Sequence, residues 1–247
     1  MKKLVKTLPI LMACAGIMAP AIAGPHWGYE GKETPENWGK LSPEYQMCDL
    51  GKNQSPVNIT GPIHAEVNNL EIHYDLISGT IINNGHTVQI NDKNANDYLT
   101  VDGEQFKLTQ FHFHAPSENQ INGKTYPMEA HFVNQNKDGE LLVMAIMLEE
   151  GKSNPIAAQL LSLLNDKENI PTNINGIDIR TFLPEVSDYY RFSGSLTTPP
   201  CSEGVTWIVL KQPITLSKSE ITKFKSVFKH HNNRPVQPLH GRLIISN

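Results

Sequence analysis

The chain has 247 residues, of which 39% are hydrophobic and 19% are charged, and its 21 lysines and arginines stand against 25 aspartates and glutamates. The formal net charge of -4 lacks the basic excess of a nucleic-acid-binding protein, so we expect no nucleic-acid partner. Beyond the first 23 residues, no stretch of the sequence is apolar for long enough to span a membrane.

The N-terminal segment 1–23 has the features of a secretory signal peptide. Three lysines are followed by an apolar run and by Ala21-Ile22-Ala23, which fits an A-x-A cleavage site. Residues 24–247 contain no repeat or flexible linker, so they are predicted to form a single domain. The signal peptide predicts that this domain is periplasmic or secreted. Lipoprotein processing at Cys14 is the alternative, because the residues before it resemble a lipobox.

Two cysteines, Cys48 and Cys201, remain after the predicted signal segment. In an oxidising compartment, a widely separated pair favours a disulfide over a metal site, whose ligands would be closer in sequence. The alternative is two buried free thiols.

The first half of the domain is predicted to contain mainly strands. Residues 25–62 are rich in glycine, proline and asparagine, with scattered aromatic residues, so we expect an irregular arm. Apolar residues then alternate over 70–74, and strands predicted at 80–82 and 87–90 flank the turn dipeptide Asn84-Gly85. His86 therefore directly follows a tight turn.

The second half combines strands with two helices. Residues 141–148 are almost all apolar, which is typical of a central strand buried on both faces. One helix is predicted from Pro155, and another from Ser217, where Glu220 gives capping-box spacing. Between the helices we predict a strand, a double-proline loop and a second strand, over residues 189–192, 193–201 and 205–210.

The first of two histidine motifs is Gln-Phe-His-Phe-His. Because alternate side chains of a strand share a face, Gln110, His112 and His114 are predicted on one face, with Phe111 and Phe113 on the other. The same period, continued toward the start of the strand, predicts that the histidine face also carries Phe106 and Leu108.

The second motif is Glu-Ala-His. Between the motifs lies Asn122-Gly123, a strong hairpin dipeptide, so the second strand is predicted to fold back antiparallel. Glu129, His131 and Val133 then share a face, and His131 meets the first two histidines.

Three neutral imidazoles on rigid strands, with no obvious fourth protein ligand, indicate a catalytic Zn²⁺ site with an open position for water. Gln110 and Glu129 each precede a histidine by two residues, and we expect them to orient the imidazoles through the other ring nitrogen. A single H-x-H pair is more often an ordinary core or surface pair. The third histidine is what favours a metal.

Several motifs in order along the chain resemble the α-class carbonic anhydrases. They are Gln-Ser-Pro-Val-Asn-Ile, Asn-Asn-Gly-His, Gln-Phe-His-Phe-His, Glu-Ala-His, Ser-Leu-Thr-Thr-Pro-Pro-Cys and Val-Thr-Trp. The resemblance runs from Trp27 to about Ile245, and exported bacterial members are the most similar. It implies a mainly β (α+β) fold, with a central twisted, mostly antiparallel sheet of about ten strands and short peripheral helices.

The resemblance also implies the reaction, which is the reversible hydration of carbon dioxide to bicarbonate and a proton, with zinc hydroxide as nucleophile. The zinc ligands of the family match His112, His114 and His131, and the residues behind them match Gln110 and Glu129. The family's threonine that accepts a hydrogen bond from the hydroxide and donates one to a carboxylate matches Thr197, with Glu118 as the carboxylate. The residue that contacts bicarbonate matches Thr198.

Further roles follow from the same resemblance. The apolar wall that receives carbon dioxide matches Val133, Val143, Leu196, Val205 and Trp207. His86 matches the proton-shuttle histidine, and the residues that order water between it and zinc match Tyr29, Asn84 and Gln89. Many vertebrate members have asparagine at the position of Gln89 and a longer segment after His131, which predicts a wider cleft mouth here. Sulfonamide or anion inhibitors are implied, and a homodimer is left open.

Two other functions compete with this one. A cupin-like metal dioxygenase is suggested by His112, His114, Glu118 and Gly123, which resemble the first cupin metal motif. The surroundings of His131 do not fit the second cupin motif. A non-catalytic binding module on the carbonic anhydrase fold is the other alternative, although all three histidines and Thr197 are present.

Overall fold

The computed structural model describes residues 25–68, 70–94, 96–165, 167–184, 188–228 and 230–247. The predicted signal peptide 1–23 and the lipoprotein alternative at Cys14 lie outside these residues. Among the helices that these ranges contain, none combines the length and the apolar character that crossing a membrane requires.

The helices of the described chain are short. The α-helices are α1 (Trp38–Leu41), α2 (Met47–Leu50), α3 (Pro155–Leu163) and α4 (Lys218–Phe228). Turns of 3₁₀-helix cover Gly31–Glu33, Pro35–Asn37, Pro43–Tyr45 and Ile179–Phe182. The arm 25–62 is therefore more helical than predicted, in part because proline begins two of these turns and presets the backbone angle that a helical turn needs.

Both helices predicted in the second half of the domain are present. The Asn154 side chain caps α3 by accepting from the N–H groups of Ile156 and Ala157. At α4, the Ser217 N–H donates to Glu220 Oε2 at 2.7 Å, and the Glu220 N–H donates to Ser217 Oγ at 3.3 Å. The predicted capping box is therefore formed.

Fifteen strands are formed by the described residues. They are β1 (Asn58–Ile59), β2 (Ile63–His64), β3 (Glu71–His73), β4 (Leu76–Asn83), β5 (Val88–Asp92), β6 (Tyr98–Val101), β7 (Glu104–His114), β8 (Gln120–Ile121), β9 (Met128–Gln135), β10 (Leu141–Glu150), β11 (Thr172–Asp178), β12 (Tyr189–Ser195), β13 (Glu203–Leu210), β14 (Ile214–Leu216) and β15 (Ile245–Ser246).

One large sheet dominates the fold. Its main path runs β11-β4-β5-β7-β9-β10-β13-β12-β15-β2, and β3, β6 and β14 pair beside this path. The pairs β10–β13, β10–β14 and β15–β2 are parallel, whereas the other pairs of this sheet are antiparallel. The predicted fold class is confirmed. A separate small sheet pairs β1 with β8.

Two apolar clusters stabilise the sheet. The larger cluster combines one face of β7 with α3 and α4, and the smaller one contains Val143, Val205 and Trp207. β10 lies between β9 and β13, and its residues 142–148 are buried. This confirms the predicted central strand.

A β-bulge in β7 corrects the predicted alternation. Leu108 lies opposite Asn134 and Gln110 lies opposite Val133, so Thr109 is an extra residue on β7. Phe106 and Leu108 therefore lie in the same apolar cluster as Phe111 and Phe113, and not on the histidine face. The prediction was wrong for these two side chains because it continued one period through an interrupted strand.

The connection between the histidine strands also differs from the prediction. β7 and β9 are antiparallel neighbours, but Asn122-Gly123 does not join them directly. These two residues, with φ of 49° and 77°, form a turn within the longer connection, after β8 has paired with β1. Asparagine and glycine tolerate this left-handed backbone, so the prediction of a turn was correct. The prediction that this turn joins the two histidine strands was wrong.

The N-terminal arm is fixed to the loop between β12 and β13. Cys48 and Cys201 form a disulfide, so the free-thiol alternative is wrong. Gln54 Nε2 donates to the Cys201 carbonyl at 3.0 Å. A Cβ at Gly194 would lie 2.1 Å from Ser55 Oγ, so glycine is what lets the arm approach β12 this closely.

Candidate active site

Three imidazoles converge where β7 and β9 pair. His112 lies directly opposite His131, and His114 shares the face of His112 because it is two residues further along the strand. One ring nitrogen of each histidine lies within 4.8 Å of those of the other two. His114 and His131 are buried, and His112 is partly exposed. The sheet register therefore forms a cluster of three potential metal ligands.

The second ring nitrogen of each histidine is hydrogen-bonded. His112 Nδ1 lies 2.8 Å from Gln110 Oε1, His131 Nε2 lies 2.9 Å from Glu129 Oε1, and His114 Nδ1 lies 2.7 Å from the Asn232 carbonyl oxygen. These oxygens accept hydrogen bonds, so the histidine nitrogens donate. The lone pairs that remain are on Nε2 of His112, Nε2 of His114 and Nδ1 of His131.

The electrostatic environment keeps these imidazoles neutral. Burial lowers the pKa of all three, and for His112 and His131 the charge of a neighbouring histidine lowers the pKa further. His114 Nε2 is buried without a hydrogen-bond partner in the described part of the chain. Since buried polar atoms are nearly always paired, three neutral nitrogen lone pairs at one point fit a Zn²⁺ ion.

Glu129 holds this side of the site together. Its Oε1 accepts from His131 and from Asn119 Nδ2, and its Oε2 accepts from the N–H groups of Glu118 at 2.7 Å and Asn119 at 2.8 Å. The side chain is fully buried. Each oxygen thus receives two donors, which stabilises the ionised carboxylate against burial.

Glu118 lies beside the histidines. Its Oε1 is 3.5 Å from His114 Nδ1 and accepts from the Arg234 N–H at 2.8 Å. Burial raises the pKa of Glu118 well above its usual range, while hydrogen bonds from the Arg234 N–H and the Thr197 hydroxyl oppose that shift. Thr197 therefore lies close enough for its hydroxyl to influence the Glu118 carboxyl, and their role as a pair stays a prediction.

Asn232 is a residue of this site that the sequence did not indicate. Its Nδ2 donates to the carbonyls of His86 and Phe113, its Oδ1 accepts from the Ala115 N–H, and its own carbonyl accepts from His114. No pattern could have revealed it, because it lies in a loop after α4 and acts partly through its backbone.

An apolar surface flanks His131. Val133 pairs with Val143 across β9 and β10, and Val143 pairs with Trp207 across β10 and β13, so the three share the face of His131. The Trp207 ring centroid is 5.0 Å from that of His131. Val205 belongs to the same apolar cluster, and Leu196 packs against it. The structure thus brings together the five residues predicted as a wall.

The residues predicted for proton transfer also lie together. Asn84 Nδ2 donates to Gln89 Oε1 at 3.2 Å, and Gln89 lies opposite His112 in the sheet. The His86 ring is stacked on Trp27, with 3.9 Å between centroids. Burial, then the charges of His26 and His230, lower the pKa of His86.

Similarity to known proteins identifies the family of this chain. The sequence matches the eukaryotic-type carbonic anhydrase family over residues 33–247. The chain belongs to this family. A carbonic anhydrase of Pectobacterium atrosepticum is 51% identical over 239 residues, which cover 95% of this chain and 96% of the relative. The α-carbonic anhydrase of Thermovibrio ammonificans, solved with the inhibitor sulfanilamide, has a TM-score of 0.87 and 46% identity, over 90% of this chain and 100% of that one.

Membership of the carbonic anhydrases settles one alternative. The cupin hypothesis is wrong, because the family match and the large open sheet both belong to the carbonic anhydrase fold. The curated bacterial relatives are named carbonic anhydrases, which supports a carbonate dehydratase over the binding-module alternative.

Proposed function

We propose that this chain binds one Zn²⁺ ion through His112, His114 and His131, and hydrates carbon dioxide reversibly to bicarbonate and a proton. The observation that carries the proposal is the set of three neutral imidazole lone pairs, each fixed by a hydrogen bond on the opposite ring nitrogen. Zinc bound there would act as a Lewis acid that acidifies a water molecule, as in carbonic anhydrases generally.

Thr197 and Glu118 orient the reacting water. When Glu118 is ionised it can only accept, so the Thr197 hydroxyl then donates to Glu118 and the hydroxyl oxygen is left to accept from the water. That arrangement aims an oxygen lone pair of the water at the carbon atom. Thr198, the next residue, would contact the bicarbonate product.

The apolar wall receives the substrate. Carbon dioxide has no net charge, so it needs a dry surface beside the reacting water and not a charged partner. Val143 and Trp207, which are buried on the face of His131, supply the centre of that surface. Val133, Leu196 and Val205 extend it.

His86 takes the proton away from the site. An ordinary imidazole pKa of about 6.5 lets a histidine accept and release protons near neutrality. Tyr29, Asn84 and Gln89 would order the water between the metal site and His86. The His86→Ala variant should lower kcat in dilute buffer, leave kcat/KM nearly unchanged, and recover with added imidazole. Equal losses in both parameters would mean that His86 shapes the site.

The same proposal includes location and inhibition. A disulfide persists in oxidising compartments, so export to the periplasm or beyond fits Cys48–Cys201. Because a homologous α-carbonic anhydrase was solved with sulfanilamide, sulfonamides and small anions should inhibit this enzyme by competing at the histidine cluster. Whether the chain forms a homodimer stays a prediction for sedimentation analysis.

Stopped-flow hydration of carbon dioxide, together with metal analysis, tests the function. The purified protein should contain one zinc per chain, lose activity with a chelator and regain it with added zinc. His131→Ala should lose both zinc and activity, whereas His73→Ala, outside the cluster, should lose neither. Stoichiometric tight zinc and full activity in His131→Ala would refute the proposed ligand set.

A further inference from the structure

A cavity of about 450 Å³ lies beside His86. Its lining includes three histidines, His26, His86 and His230, together with Tyr29 and Asn84. His230 comes from the segment after α4, so three distant parts of the chain each contribute one imidazole. Of these three imidazoles, the one that has a role in the function proposed above is that of His86.

His26 and His230 both act electrostatically on His86. The ring centroid of His26 lies 6.4 Å from that of His86. The charges of His26 and His230 both lower the pKa of His86, and Glu168 opposes them. A proton held by His26 or His230 therefore makes proton uptake by His86 less favourable.

His230 can accept a proton through a defined atom. Its Nδ1 lies 3.1 Å from the His231 carbonyl oxygen, which can only accept, so the proton of the neutral ring is on Nδ1. The nitrogen that takes up a further proton is then Nε2. His230 lines the cavity and is partly buried, so its ring is also accessible to solvent.

Tyr29 connects His230 with the active site. Its ring centroid lies 5.7 Å from that of His230. Burial raises the pKa of Tyr29, and the negative charge of Glu118 raises it further, so Tyr29 lies within electrostatic reach of the active-site carboxylate. Water beside Tyr29 can therefore approach His230 as well as His86.

We propose that His230 is a second proton-relay residue, which carries protons out of this cavity in parallel with His86. The inference rests on the proposed carbon dioxide hydration. A proton from the reacting water passes through ordered water to His230 Nε2, where an N–H bond forms. The bond breaks when a buffer base takes the proton, and the ring returns to its neutral form.

His26 is the competing second acceptor. Its Nδ1 lies 3.1 Å from Glu33 Oε2, and its side chain is 76% exposed. An exposed imidazole that is held by a carboxylate is tied to the rim of the cavity. His230 contacts Tyr29, so it lies closer to the source of the protons.

Steady-state stopped-flow kinetics of the zinc-loaded enzyme in dilute, imidazole-free buffer test the proposal. The variants are His86→Ala, His230→Ala, the double variant, and His231→Ala as the matched control. We expect His86→Ala to keep part of its kcat, and the double variant to lose about fivefold more, with kcat/KM for carbon dioxide unchanged. His231→Ala, which replaces the exposed neighbouring histidine, should resemble the parent enzyme.

The outcomes separate this inference from the function on which it rests. If the double variant matched His86→Ala in kcat, His230 would carry no protons and the inference would be refuted. If His26→Ala and not His230→Ala deepened the loss, the second acceptor would be His26. A fall in kcat/KM equal to the fall in kcat would indicate a structural role. If the parent enzyme hydrated no carbon dioxide, it is the proposed function that would fail.

Discussion

The two carboxylate oxygens of Glu129 accept four hydrogen bonds. Three come from His131 Nε2 and from the N–H groups of Glu118 and Asn119, and the fourth comes from the Asn119 side-chain amide. An amide in place of the carboxylate would put an NH₂ group against at least one of those donors. The residue is therefore required as an anion, and not only as a polar side chain.

Glu129→Gln should weaken zinc binding by about 10- to 100-fold, because His131 would lose its charged orienting partner. Competition against a zinc chelator measures this affinity directly. Glu149→Gln, on the exposed end of β10, serves as the control and should bind zinc like the parent protein. Equal zinc affinity in Glu129→Gln would show that hydrogen bonding to His131 does not tune the metal.

Asp92 should make the stability depend on pH. Burial and the neighbouring Asp97 carboxyl raise the pKa of Asp92 to about 6. A raised carboxyl pKa means that the folded state binds the proton more tightly, so stability falls as pH rises from about 4 through 6. Asp92→Asn should then stabilise the protein at pH 8 by about 1 kcal/mol, a value discounted because Asp92 is partly exposed.

Urea unfolding at pH 8 and at pH 4.5 measures the Asp92 effect. The stabilisation should be present at pH 8 and should shrink at pH 4.5, where the parent Asp92 is already protonated. Asp138→Asn, at an exposed turn position, should have no comparable pH-dependent effect. Equal effects of Asp92→Asn at both pH values would contradict the assigned pKa shift.

Single residues differ in how far their roles follow from sequence. His112 and His114 were predictable because strand periodicity alone puts them on one face. Asn232 was not, because hydrogen bonds that depend on a loop's folded path leave no periodic signal in the sequence.

At the scale of elements, one side chain joins the starts of two helices. Glu220 Oε2 accepts from the N–H groups of Ser217 and Asn154, and its Oε1 accepts from Ser153 Oγ at 2.6 Å. Asn154 caps α3, and Ser217 precedes α4. The carboxylate therefore completes one capping box and also fixes the two helices relative to each other.

Glu220→Ala should lower the free energy of unfolding by about 2 kcal/mol, since it removes a cap and leaves buried donors without partners. Denaturant unfolding at neutral pH measures the loss. Lys223→Ala, at an exposed position of the same helix, should change stability by less than about 0.5 kcal/mol. If Glu220→Ala also changed the free energy of unfolding by less than about 0.5 kcal/mol, water would be replacing the hydrogen bonds of the carboxylate.

Local signals predicted the elements better than their connections. The helices after Pro155 and Ser217 follow from proline and capping preferences, which act within a few residues. The role of Asn122-Gly123 could not be predicted, because the pairing of β8 with β1 depends on residues 62 positions apart. Tertiary pairing decided what the turn connects.

At the scale of the whole molecule, the disulfide links the N-terminal arm to the loop that carries Thr197 and Thr198. Its cysteines are separated by 153 residues. In the chain-entropy model, a closed loop of this size contributes about 5 kcal/mol by restricting the unfolded chain. The contribution therefore concerns the entire fold and not one contact.

Cys48→Ser should lower the free energy of unfolding by about 2 to 5 kcal/mol. The midpoint of thermal unfolding of this variant should not change when a reducing agent is added. The parent protein should fall toward the variant when it is reduced. Thermal unfolding with and without reductant makes the comparison. A parent midpoint that reductant does not change would indicate that the disulfide contributes little.

The bulge at Thr109 decides which face of the sheet each β7 side chain occupies. Side chains of a strand alternate, so every residue after the bulge has the opposite parity to the one it would have in a regular strand. A regular strand that kept Thr109 within the ladder would point Phe111 and Phe113 into the cleft and turn His112 and His114 into the apolar core. Deleting Thr109 would instead leave Leu108 opposite Asn134 and Gln110 opposite Val133, so the histidines would keep their face. The bulge thus puts Phe106 and Leu108 on the same face as Phe111 and Phe113, although the two pairs differ in parity along the sequence.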